Sequence, residues 1–167
     1  MSDTLKDARS LAATTTETEF VARFSHPFFM LDRPVPAASA KNTGFRTGVL
    51  DPASLAHIGP AHTQLFALKR ADGKNTMSIA IGRTPSCDVQ LDSPAISKLH
   101  AFVQLSAGKS GYIITDNESS NGTWVNDTKL TANSPHPLKS GDAIDFGHAY
   151  RGKFFEPGAL YQTLRQA

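Results

Sequence analysis

SSNGTWVN, Ser119 to Asn126, is the stretch on which the fold turns. Asn121-Gly122 is the strongest kind of short-range turn signal, because both residues tolerate positive φ. Thr123, Trp124 and Val125 are β-branched or aromatic and predict a strand leaving that turn. A bare hairpin accounts for neither the two serines before the turn nor Asn126 after the strand. These polar side chains read either as ordinary turn chemistry or as a row held at a loop tip to grip a ligand.

Outward from this stretch the apolar residues keep a period of two. QLFALKR (64–70) comes first, then MSIAIGR (77–83), with Met77, Ile79 and Ile81 on one face. DVQL (88–91), HAFVQL (100–105), GYIIT (111–115) and AIDFG (143–147) read the same way. Turn signals divide them: Ala71-Asp72-Gly73-Lys74, Thr84-Pro85-Ser86, Ser93-Pro94, Gly108-Lys109-Ser110 and Ser140-Gly141-Asp142. Short strands at this spacing argue for an all-β sandwich or barrel over residues 61–150.

The flanks read differently. Residues 1–60 form an N-terminal extension, polar and weakly ordered to about Glu19, with the threonine-rich run TTTETE at 14–19. FVARFSHPFFML (20–31) is strongly apolar. Phe20 and Phe24 are four apart, which predicts a short helix capped by Thr18, ended by Pro27 and packed on the main domain. Residues 32–60 carry Pro34, Pro36, Pro52 and Pro60 and read as a linker, with a short helix starting at Asp51. EPGALYQTLRQ (156–166) predicts a C-terminal helix in the tail 151–167, with Leu160 and Leu164 sharing a face.

Composition excludes several classes. A chain of 167 residues that is 40% hydrophobic holds one full domain with attached segments. It has no apolar run long enough to span a bilayer and no secretory h-region at its start. Seventeen basic and fifteen acidic residues leave a net charge of +2, with no Lys/Arg block, so neither nucleic acid nor membrane is implied as a partner. The single cysteine, Cys87, excludes an internal disulfide framework and suits the cytoplasm. His26, His57, His62, His136 and His148 lack metal-ligand spacing, and no cofactor is expected. Ser97, His100 and Asp116 are the residue types of a hydrolase triad. No Gly-x-Ser-x-Gly elbow surrounds Ser97, and an enzyme is not expected.

Three loops of the β region carry unusual polar residues: Gly82-Arg83, Ser97-Lys98-Leu99-His100 and Ser119-Ser120-Asn121-Gly122-Thr123. If they meet at one end of a sandwich, they supply a guanidinium, hydroxyls, backbone N–H groups and an amide. That set suits a doubly charged oxyanion on a peptide, because arginine binds phosphate through parallel charge-assisted bonds and asparagine both donates and accepts.

IGR (81–83), SKLH (97–100), SSNGTWVN and LKSGDAIDFG (138–147), in this order, resemble the forkhead-associated (FHA) domain across roughly residues 62–150. The resemblance implies an FHA-like β-sandwich of two antiparallel sheets whose loops bind phosphothreonine peptides, with the chain as an adaptor in Ser/Thr kinase signalling. By position, Arg83 would hold the phosphate and Ser97 would donate to it. Lys98 would offer its N–H and ammonium, Ser120 would lie beside the phosphate and the threonine methyl, and Asn121 would bond the peptide backbone. Gly82, His100, Gly122 and Asn126 would support the site, Asn126 by bracing the turn or reaching flanking peptide atoms. Lys98 departs from the Arg or Asn common at its position, which keeps the charge and loses the planar fork. The partners implied are a phosphothreonine-containing protein or peptide and a Ser/Thr kinase. Two alternatives stand beside this. One is a phosphate-independent scaffold docking through Phe20–Leu31. The other is self-regulation, in which phosphorylated Thr14, Thr15, Thr16 or Thr18 occupies the chain's own loops.

Overall fold

The computed structural model describes residues 4–32, 63–69, 78–106 and 111–166. The turns expected at 71–74 and 108–110, the helix at Asp51 and the linker's centre lie outside the described residues, as do His57 and His62. The described elements are α1 (Leu5–Thr14), α2 (Glu17–Arg23), β1 (Phe28–Asp32), β2 (Thr63–Ala67), β3 (Ser78–Gly82), β4 (Val89–Gln90), β5 (Ala101–Leu105), β6 (Tyr112–Asp116), β7 (Thr123–Val125), β8 (Thr128–Lys129), β9 (His136–Leu138), β10 (Ala143–Phe146), β11 (Tyr150–Phe155) and α3 (Pro157–Gln166).

The strands form two sheets, in the orders β2-β1-β11-β10-β7-β8 and β4-β3-β5-β6-β9. The expected all-β sandwich is present. Its pairings are antiparallel except for the short parallel contact of β3 with β4. Phe29, Leu31, Ile81, Val103, Ile114, Phe146 and Phe154 are buried between the sheets. Inward and outward residues alternate along each strand, as a pleat requires.

The N-terminal segment departs from its expected role. Phe28–Asp32 is neither helix nor linker. It is an inner strand of the six-stranded sheet, paired with both β2 and β11. Residues 28–32 and 151–155 therefore extend the sandwich beyond the 61–150 span. The reason is burial on both faces. Phe29 and Leu31 join the inter-sheet core, while Phe28 and Met30 face a second apolar cluster with Ala8, Phe20, Phe24, Leu65, Phe155, Leu160 and Tyr161. A strand covered on both sides loses its alternation and reads as a continuous apolar run.

That second cluster is a layer of three helices on the outer face of the sheet. The stretch expected to be weakly ordered forms α1, with Thr4 as N-cap accepting from Asp7 N–H. In α2 the cap is Thr16, not Thr18, and Glu19 closes a capping box with it. α3 forms as expected. Its Tyr161 hydroxyl donates to Thr15 O at 2.9 Å, and Gln162 donates to Glu17 at 2.6 Å. The apolar residues 20–31 are thus spent on two cores, with Phe20, Phe28 and Phe29 all 0% exposed, and are not a free docking face. Thr14, Thr15 and Thr16 hold the corner between α1 and α2 through their hydroxyls, rather than lying in a free tail.

Candidate functional site

The β3–β4, β4–β5 and β6–β7 connections meet at one end of the sandwich. Close backbone approach starts the assembly. A Cβ on Gly82 would lie 2.3 Å from Lys98 O and 2.9 Å from Cys87 Sγ, so only glycine lets the end of β3 run against the Ser97-Lys98 loop. Arg83 N–H then donates to Ser97 O at 3.0 Å, and the Thr84 hydroxyl donates to Lys98 O at 3.0 Å.

His100 ties this loop to the next. Its ring is fully buried. Ser97 N–H donates to Nδ1 at 3.2 Å, which places the proton on Nε2, and Nε2–H donates to Gly122 O at 3.0 Å. Gly122 O also accepts from Gly147 N–H at 2.9 Å. Both imidazole nitrogens therefore serve the backbone, and neither is bonded to Ser97 Oγ as a triad base would be.

Burial pushes the His100 pKa below the ordinary value, against the opposing pulls of the Gly122 carbonyl and the Asp116 carboxylate. The native state thus holds the neutral ring, whereas the unfolded chain takes up a proton below pH about 6.5. The stability from this group is fully present above that pH and falls as the solution is acidified through the native pKa. By proton NMR, the His100 ring should titrate at a midpoint below that of a histidine in an unstructured peptide. A midpoint at or above it would show that burial does not govern the ring.

The third loop is fastened by Asp116, which is 3% exposed. Its carboxylate accepts from Ser119 N–H at 3.0 Å, from the Ser119 hydroxyl at 2.5 Å and from the Thr123 hydroxyl at 2.6 Å. Ser120 and Asn121 lie between those two anchors. Gly122 carries φ +84°, and a side chain there would meet Lys129 Cε at 2.7 Å. Ser120 N–H donates to Ser97 Oγ at 3.0 Å, and Asn121 Nδ2 donates to Ala95 O at 2.8 Å.

The structure therefore brings together Arg83, Ser97, Lys98, Ser120 and Asn121, with Gly82, His100 and Gly122 beneath them. Arg83 Nε donates to Ile96 O at 3.2 Å. Its two terminal nitrogens and Lys98 Nζ have no partner among the described residues, so exposed positive charge stands at the loop tips. Asn126 stands apart at the other end of β7. It donates to Asp142 at 2.9 Å and accepts from Ala143 N–H at 2.9 Å, so it braces the β7–β8 turn and is not placed to reach a ligand at the loop tips. The sequence reading missed the weight of Asp116, although its spacing to Ser119 and Thr123 carried the signal. It also missed Gly147, where a Cβ would come within 2.8 Å of Ala95 O.

A family model for the FHA domain matches residues 79–147. The "FHA domain-containing protein PS1" of Arabidopsis thaliana is 31% identical over 80 residues, covering 48% of this chain and 5% of that protein. The Saccharomyces cerevisiae "Serine/threonine-protein kinase RAD53" is 39% identical over 67 residues, covering 40% of this chain and 8% of that protein. The aligned regions thus span less than a tenth of either relative. Full-length yeast Pml1p superposes with a TM-score of 0.50 at 16% identity, over 84% of this chain and 93% of that one, which speaks to fold alone. The family match over residues 79–147, the two-sheet architecture and the loop-end constellation together identify an FHA domain within this chain.

Proposed function

We propose that this chain binds phosphothreonine peptides and acts as an adaptor in Ser/Thr kinase signalling. The observation that carries the reading is the charge left over at the fastened loops. Arg83 Nη1 and Nη2 and Lys98 Nζ are unpartnered among the described residues, beside the hydroxyls of Ser97 and Ser120. A phosphate dianion suits such a set, because each contact is charge-assisted and the donors are already oriented. In this reading Arg83 and Ser97 hold the phosphate. Lys98 adds charge, Ser120 borders the phosphate and the threonine methyl, and Asn121 bonds the peptide backbone through Oδ1, which has no partner among the described residues. An FHA domain is a binding module, which agrees with an imidazole committed to the backbone. Kinase signalling as the setting draws on the kinase named among the relatives. The cytoplasm suits the free thiol of Cys87.

The test is a titration of a degenerate phosphothreonine peptide library, with matched phosphoserine and unphosphorylated controls. Wild type should bind at micromolar Kd only when phosphothreonine is present. Arg83→Ala should weaken this by about 2 kcal/mol or more, roughly thirtyfold. Equal binding by the variant would sink the assignment of Arg83.

A further inference from the structure

Trp124 is the chain's only tryptophan, and it lies against the proposed site rather than in the core. Register places it in a row across the outer face of the six-stranded sheet: Lys129 on β8, Trp124 on β7, Asp145 on β10, Arg151 on β11 and Asp32 on β1. The Trp124 ring stacks on His148 at 4.0 Å between centroids, and Lys129 Nζ lies 5.4 Å from the Trp124 ring centroid. Gly122 joins this row to the site. The space of its missing side chain is filled by Lys129 Cε and the edge of the Trp124 ring, so both press against the residue next to Asn121.

Charge in the row is uneven. Arg151 Nε pairs with Asp145 at 2.8 Å, and His148 lies at the same distance from that carboxylate. Lys129 is exposed and has no carboxylate partner among the described residues. An ammonium held over an indole face beside a peptide-binding loop is a cation waiting for an anion, with an apolar surface beneath it for the methylene stem of that anion.

We propose that Lys129 and Trp124 form a flanking subsite that takes an aspartate or glutamate side chain of the bound phosphopeptide, on the Asn121 side of the phosphothreonine. This inference rests on the phosphothreonine reading above. It assigns the chain a preference for acidic sequence context, set by a residue outside the loops that meet the phosphate.

The test uses phosphothreonine peptides in an alanine background, with one aspartate moved through each of the four positions on either side. In the wild type, aspartate at one position should tighten binding about fivefold over the all-alanine flank, the scale of an exposed ion pair. That peptide should also shift the emission of Trp124. In Lys129→Ala the aspartate-to-alanine ratio should fall to about one. Lys129→Glu should favour a lysine at the same position, while Lys139→Ala, which removes a lysine at the opposite end of the sandwich, should keep the aspartate preference. A preference that survives Lys129→Ala, or no preferred position in the wild type, overturns the subsite while leaving the phosphothreonine reading standing. Failure of every phosphopeptide to bind wild type overturns both.

Discussion

Phe20→Ala should lower the unfolding free energy by about 3–5 kcal/mol, the cost of truncating a fully buried phenylalanine. Phe20 is 0% exposed, and its ring meets Phe24 at 4.8 Å and Tyr161 at 5.4 Å between centroids. Its ring joins α2 to α3 alongside the Gln162–Glu17 bond, and both helices cover Phe28, Leu65 and Phe155 on the outer face of the sheet. The neighbours come from three helices and three strands, so collapse into the vacated space is limited and the cavity term adds to the lost transfer energy. Urea unfolding would measure the effect as a lower midpoint at an unchanged slope. Phosphopeptide affinity of the folded variant should be unaltered, since Phe20 lies in the helical layer, apart from the loops of the site. A loss below about 1 kcal/mol would mean that the helices do not cover the sheet in solution. The apolar N-terminal segment would then return as a candidate docking face.

What was legible in the sequence follows physical lines. The strands β2 to β7 and β10 kept their alternation and were found to within three residues, whereas β11 was missed, because the polar Arg151-Gly152-Lys153 at its centre breaks the apolar pattern. β1 was lost because both its faces are dry, so Phe28 to Leu31 carry no period. β8 was missed because both its residues, Thr128 and Lys129, are polar and exposed, and β9 because Pro137 sits at its centre. Thr16, and not Thr18, carries the cap signal, because Glu19 stands three residues beyond it and closes a capping box. The loop residues were legible for a different reason. A glycine beside an arginine, or an asparagine before a glycine, is a backbone requirement written as a residue type, and it survives without knowledge of the neighbours. Gly82 and Gly122 show this directly, since each fills its requirement against a residue sixteen or seven positions away, Lys98 or Lys129. Asn126 illustrates the limit. Its motif position was right, but a three-residue strand separates it from Asn121 and turns its amide toward Asp142 and Ala143.

Asp116→Ala should cost about 3 kcal/mol of stability and weaken phosphopeptide binding as well. Three donors converge on this carboxylate: Ser119 N–H, the Ser119 hydroxyl and the Thr123 hydroxyl. Thr123 is 0% exposed, so its hydroxyl cannot turn to water when the acceptor is removed. Each buried donor left without an acceptor costs about 1–3 kcal/mol, and the three share one partner, so their losses overlap rather than add. The cost reaches the site because Ser120 and Asn121 lie between the two anchored residues, beside their bonds to Ser97 and Ala95 and the hold of His100 and Gly147 on Gly122 O. Asp116→Asn separates charge from shape. Its amide oxygen can keep the two hydroxyl bonds made at Oδ1, while its NH2 would face Ser119 N–H, donor against donor. The asparagine variant should therefore fall between wild type and alanine in both urea midpoint and phosphopeptide Kd. The ordering matters more than either value. If alanine and asparagine were equally stable but only alanine lost binding, the carboxylate would be spacing the loop rather than fastening it. If both bound as tightly as wild type, Ser120 and Asn121 would be held by the Ser97 loop alone, and Asp116 would belong to the core and not to the site.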